Sequence, residues 1–216
     1  MLIKLENISK TFQTPQKKIE VLKNINLEIK DKETLVIFGP SGIGKTTLMN
    51  IIGTMDSPTS GKIFIDNIDI LTLKDDELAR LRKEKIGFVF QSFNLLPNLK
   101  AKDNILLPAL MDKDIGKKME RIYDFASEVD IKERLEHLPG ELSSGEQQRV
   151  SILRAIINSP SIILADEPTA DLDSANAKKI IDILKGLNQK YGCTVLIATN
   201  NEQTASSFPK RFNLQK

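Results

Sequence analysis

Four short segments carry apolar residues almost without interruption: Leu35-Val36-Ile37-Phe38, Ile86-Gly87-Phe88-Val89-Phe90, Ile162-Ile163-Leu164-Ala165 and Val195-Leu196-Ile197-Ala198. A strand with one wet face alternates apolar and polar residues. An unbroken apolar run needs cover on both faces, as in a parallel sheet packed between helices. Between the last two runs, Ala177, Ile180, Ile181, Leu184 and Leu187 recur at helical spacing and Tyr191-Gly192 supplies a stop, which makes a βαβ unit. The N-terminal part reads differently. Residues 2–8, 21–29 and 62–68 are strand-like and separated by polar turns at 14–17 and 57–61, so an antiparallel flank on the parallel core is expected. Between about Ser92 and Asn158 strand signals vanish. Residues 117–129 and 145–157 read as amphipathic helices, and Pro97, Pro108 and Pro139 punctuate the stretch. The expected division is a core of residues 1–91 and 159–216, with the flank at its start, and an inserted helical subdomain at 92–158.

Composition narrows the function classes. Among 216 residues, 31 Lys and Arg face 29 Asp and Glu, and a net charge of +2 gives no reason to expect nucleic-acid binding. No apolar run approaches the ~18 residues of a membrane span, and the start, Met1-Leu2-Ile3-Lys4-Leu5-Glu6, is charged where a signal peptide needs an apolar stretch. Cys193 stands alone, so an intramolecular disulfide and a multi-cysteine metal cage are both excluded, in keeping with a reducing compartment. A cytoplasmic location is expected.

The chemistry concentrates after the first apolar run. Gly39-Pro40-Ser41-Gly42-Ile43-Gly44-Lys45-Thr46 matches the phosphate-loop pattern at every fixed position, with Thr47 opening the helix that should follow. Glycines let the backbone curl so that successive N–H groups face phosphate oxygens, and the helix start adds its positive end. Lys45 should reach the β- and γ-phosphates of a bound ligand, and the Thr46 hydroxyl should ligate Mg²⁺. A phosphate-transfer site also needs a carboxylate at the end of a neighbouring buried strand. Asp166-Glu167 ends the third apolar run, making Asp166 the metal-ligand candidate and Glu167 the general-base candidate. Leu142-Ser143-Ser144-Gly145-Glu146 opens the second predicted helix, a Ser/Gly helix start with free N–H groups or an ordinary N-cap.

In order, the phosphate loop, Gln91 after a strand, the Ser143-Ser144-Gly145-Glu146 signature, Asp166-Glu167 and Asp173 resemble the nucleotide-binding subunits of ABC transporters over essentially the whole chain. The resemblance implies an α/β P-loop NTPase core with a mostly parallel sheet, an antiparallel β flank and an inserted α-helical lobe. It implies ATP and Mg²⁺ as cofactors, a homodimer when ATP is bound, a transmembrane permease as partner, and a peripheral place on the inner face of the membrane. It gives Phe12 a stacking role on adenine, Gln91 contact with Mg²⁺ and the attacking water, Ser143, Ser144 and Gly145 the capping of ATP held by the other subunit, and Asp173 a place across the dimer interface. The stretch from Phe88 to Pro97, with Glu146 in place of the commoner glutamine, is similar to the macrolide-export and lipoprotein-release group.

Two positions depart from the family pattern. Ser144 replaces the first signature glycine, and Asn200 stands where the family has a histidine after the last core strand. An asparagine amide lacks the reach of the farther imidazole nitrogen and cannot become a cation. Slow ATP hydrolysis is therefore expected. His137, the lone histidine, sits before Pro139 and cannot replace the missing group. The alternative is a nucleotide-gated regulatory dimer with little hydrolysis, and a cell-division ATPase shares the same motifs.

Overall fold

The computed structural model describes residues 2–15, 17–110 and 112–215. Gln16, in the turn expected at 14–17, lies outside the described residues. Eleven-residue β1 (Ile3–Gln13) pairs antiparallel with β2 (Lys18–Ile29) and, on its other edge, with β4 (Ser60–Ile65), which carries the short β5 (Ile68–Asp69). This is the expected flank, with β1 running five residues past the end read from the sequence.

The second sheet has the order β6-β7-β8-β3-β9, from β3 (Thr34–Phe38), β6 (Ile86–Val89), β7 (Ile162–Asp166), β8 (Thr194–Thr199) and β9 (Arg211–Asn213), all parallel. Every residue of β7 and β8 is buried, which is why those segments read as unbroken apolar runs. Alternate side chains divide between two cores. Leu35, Ile37, Ile162, Leu164 and Leu196 face α1 (Lys45–Ile52) and the antiparallel sheet, while Val36, Ile163, Val195 and Ile197 face the helices on the other side.

Those helices are α3 (Ala101–Leu106), α4 (Ile115–Glu128), α5 (Ser144–Ile156) and α6 (Ser174–Tyr191). Gly192, at φ 67°, ends α6 in the left-handed conformation that suits glycine. Two further helices carry little sequence signal. In α2 (Asp75–Lys85) no residue is fully buried; Asp75, Asp76 and Glu77 lie in the first turn and Arg82, Lys83 and Lys85 in the last, an arrangement that favours the helix dipole, while Leu78 and Leu81 pack half-buried against the core. The five-residue α7 (Glu202–Ser206) is started by the Asn201 side chain, which accepts from the Thr204 N–H.

Candidate functional site

Because β3, β6, β7 and β8 are parallel, their C-terminal ends open on one edge of the sheet, the usual place for ligands on such sheets. The phosphate loop leaves β3 there, Gln91 follows β6, Asp166-Glu167 end β7, and Asn200 follows β8. Residues 159 positions apart in sequence thereby become neighbours.

The loop owes its shape to two glycines in the left-handed region, Gly42 at φ 76° and Gly44 at φ 114°. Gly44 also has no room for a side chain, since a Cβ would stand 2.9 Å from both Val21 and Leu22 of β2. That contact fastens the loop to the flank bearing Phe12, an exposed ring on β1 with the Lys10 ammonium 4.9 Å from its centre. Gly39 is buried, whereas Pro40, Ser41 and Thr46 are exposed and Ile43 and Thr47 half-buried.

Lys45 is 5% exposed, and its Nζ donates to the carbonyls of Gly39 (3.0 Å) and Pro40 (3.2 Å) while lying 3.1 Å from Glu167 Oε1. Glu167 holds a left-handed φ of 44°, a conformation that costs a non-glycine residue energy and needs surrounding support. The support is visible: its N–H donates to the Ala198 carbonyl (2.8 Å), and its Oε2 accepts from the Asn200 N–H (3.2 Å). The Asn200 side-chain amide, in turn, donates to Ser41 Oγ at 2.8 Å. Lys45, Glu167, Asn200 and Ser41 thus form one linked set, and no residue pattern announces the bond from Asn200 to the loop.

Asp166 is 8% exposed and its Oδ1 has no hydrogen-bond partner. Burial pushes its carboxyl up from the usual range; the Thr46 hydroxyl pulls it down, the Glu167 charge adds to the rise, and Lys45 opposes it. An orphaned carboxylate oxygen beside a hydroxyl fits a hard cation such as Mg²⁺, which takes few protein ligands and keeps its other positions for water and phosphate. No cluster of three or more His, Cys, Asp or Glu among the described residues offers an all-protein metal cage.

The signature lies elsewhere on the chain. Ser143 caps α5 in a reciprocal box: its hydroxyl accepts from the Glu146 N–H (3.3 Å), and Glu146 Oε2 accepts from the Ser143 N–H and hydroxyl, both at 2.8 Å. Glu146 also takes a hydrogen bond from Arg134 Nε. Burial alone would raise the Glu146 carboxyl; Ser143 and Arg134 hold it below its ordinary value. The carboxylate of Glu146 is therefore engaged in shaping the helix start. Ser143 and Ser144 are exposed, and Gly145 is buried where a Cβ would come within 2.6 Å of Asn176 Oδ1. Asn176 is tied to Asp173, whose carboxylate caps α6 by accepting from the N–H groups of Ala175 and Asn176. Signature and Asp173 segment form one surface, joined again by Gln148 Nε2 donating to the Pro168 carbonyl. No hydrogen bond or ion pair among the described residues links residues 143–146 to the phosphate loop. His137 Nδ1 is buried without a hydrogen-bond partner.

Comparison with known proteins bears on this arrangement. The family model for "ABC transporter" matches residues 22–170. The lipoprotein-releasing system ATP-binding protein LolD of Syntrophus aciditrophicus is 40% identical over 215 residues, covering 99% of this chain and 96% of that protein. The macrolide export ATP-binding/permease protein MacB of Bdellovibrio bacteriovorus is 41% identical over 214 residues, covering 99% of this chain and 33% of its own. Among solved structures, the dimeric post-hydrolysis state of the ATP-binding cassette MJ0796, bound to ADP and Pi, superposes with a TM-score of 0.88 at 42% identity, covering 99% of this chain and 94% of that one. MJ0796 comes from Methanocaldococcus jannaschii. No helix among the described residues is long and apolar enough to cross a membrane. The α/β fold with its paired sheets, the phosphate loop at the sheet edge, the family match over residues 22–170 and relatives covering 99% of its length together place the chain in the ABC transporter family, as one of its ATP-binding, ATP-hydrolysing cassettes.

Proposed function

We propose that two copies of this chain close on two molecules of ATP, each held by the Gly39–Thr47 segment of one copy and capped by Ser143, Ser144 and Gly145 of the other. The observation that carries this reading is the separation within one chain: among the described residues no hydrogen bond or ion pair joins the phosphate loop to the exposed signature helix start, so each is read as half of a site. The dimers formed by MJ0796 agree with it. In this reading Phe12 offers its exposed face to the adenine, Lys45 turns to the outer phosphates, and Asp173 lies at the seam beside the signature. Thr46, Asp166 and Gln91 would hold Mg²⁺, which when bound neutralises charge on the β- and γ-phosphates. Glu167, released from Lys45, accepts a proton from the water that attacks the γ-phosphorus; the bond to the β,γ-bridging oxygen breaks, leaving ADP and phosphate.

The work is coupled to a membrane permease at the inner face of the membrane, in export or release of peptides, lipoproteins or drugs. MacB supports this, since its name joins ATP-binding and permease functions and this chain matches a third of it. A cleft of about 200 Å³ beside the loop after Gln91, with Met55, Phe88, Phe90 and Pro108 as apolar lining and Arg82 at its side, suits a permease segment. The rival reading of a regulatory dimer rests on Asn200 alone, and the comparisons lend it no support.

Scattering of the Glu167→Gln chain with ATP is the test. A doubled mass at saturating ATP is expected, and a mass that stays at one chain would sink the composite site. Asn200 is tested separately. Its amide is spent on Ser41, so Asn200→His, with the reach to meet the γ-phosphate, should raise turnover of the full complex by about tenfold or more, the scale on which single charge-stabilising donors act. Unchanged or lower turnover would show that the asparagine is no handicap.

A further inference from the structure

Gln91 sits in a turn whose continuation is held by side chains from the helical lobe. Phe93 and Asn94, directly after it, adopt consecutive left-handed conformations, at φ 59° and 49°. Two such non-glycine residues in a row cost energy and persist only where something fixes them. The fixing group is Arg154, near the C-terminal end of α5: its Nη2 donates to the Phe93 carbonyl (2.6 Å) and its Nη1 to the Asn94 carbonyl (2.5 Å). It has no acidic partner among the described residues, so these carbonyls are the chief match for its charge. Burial draws its guanidinium below the ordinary arginine value, as expected of a cation removed from water.

The other side of Gln91 is fastened to the same helix. At Gly87 in β6 a Cβ would stand 2.2 Å from the Ala155 carbonyl, so strand and helix touch backbone to backbone. Farther along the loop, fully buried Asn104 accepts from the Leu96 N–H and donates to the carbonyls of Leu96, Leu99 and Lys100. Gln91 is thus gripped before and after by α5, whose opposite end is Ser143. From Ser144 to Arg154 is about 15 Å of helix, a stiff body.

We propose that Arg154 is a positioning residue that makes α5 a connecting rod between the two nucleotide sites of the dimer. Its Ser143 end caps ATP held by the partner, and its Arg154 end sets Gln91 in this chain's own site. The proposal rests on the composite-site reading above and adds that filling one site places the water-orienting residue of the other.

The experiment compares the parent chain with Arg154→Met and Arg154→Lys. Turnover is measured against ATP concentration, nucleotide affinity of the single chain by titration, and amide hydrogen exchange over residues 92–96. For Arg154→Met, kcat should fall about tenfold or more, since small misplacement of a reacting group is costly. Its Hill coefficient should drop toward 1, exchange over 92–96 should rise, and single-chain affinity should stay within about twofold of the parent. Arg154→Lys, able to serve one carbonyl, should recover part of kcat. Parental kcat and cooperativity in Arg154→Met overturn the proposal, as does an affinity loss that matches the kcat loss. If Arg154→Met fails to fold, Arg154→Lys decides alone: reduced kcat at unchanged affinity supports the proposal and parental kcat overturns it. A parent chain that never dimerises with ATP defeats the composite-site reading instead, and exchange over 92–96 then still tells whether Arg154 holds the loop.

Discussion

Replacing Glu167 by glutamine should reduce ATP turnover by about 10²- to 10⁴-fold, the range that a positioned general base contributes. The substitution is close to isosteric, so the left-handed backbone at this position and the hydrogen bond from the Asn200 N–H to its side-chain oxygen are retained. What is lost is the carboxylate that takes the proton of the attacking water, and with it the ion pair to Lys45. Nucleotide affinity should therefore hold steady or improve, because Lys45 no longer has to leave an anion to meet phosphate. Phosphate release from the purified chain, under single-turnover conditions, measures the effect. A variant within threefold of the parent would remove Glu167 from the chemistry and shift attention to Asp166 or Gln91.

The second large effect is expected at Lys45. Lys45→Met keeps the length and apolar stem of a side chain buried at the start of α1 but deletes the charge that should meet the outer phosphates. A hydrogen bond to a charged group contributes about 1.5–3 kcal/mol, so losing two weakens ATP binding by about 10²- to 10⁴-fold. The substitution also leaves Glu167, whose side chain is 13% exposed, without its ammonium partner, so a modest fall in stability should accompany the binding defect. Titration with a fluorescent ATP analogue separates the two, since a loss of melting temperature with unchanged affinity would assign Lys45 a purely structural role.

How much of this was legible in the residues alone depended on how each element is stabilised. β7 and β8 announced themselves because both faces are covered, and the phosphate loop because glycines at fixed spacing meet a conformational need at Gly44. α2 did not, since its apolar face is only Leu78 and Leu81, half-buried against the core, and charged ends and a cap supply the rest of its support. β9 is three residues long and joins the sheet only by pairing with β3. At the site, the loop, Asp166 and Glu167 could be read as chemistry. Asn200 was legible as a departure from a pattern, but its bond to Ser41 links residues that only the sheet order brings together. Arg154 left no trace, because it works through two backbone carbonyls and nothing in a sequence marks which carbonyl a guanidinium will find.

The division of the parallel sheet between two cores has a consequence for how the molecule can be taken apart. The apolar cluster beneath α3, α4 and α5 is completed by Val36, Ile163, Val195 and Ile197, contributed by strands on either side of the insertion in sequence. Excised by itself, the helical stretch would expose that underside to water and should not fold autonomously. A chimera that exchanges it between related cassettes will succeed only where these four wall residues, from the host, match the graft in volume.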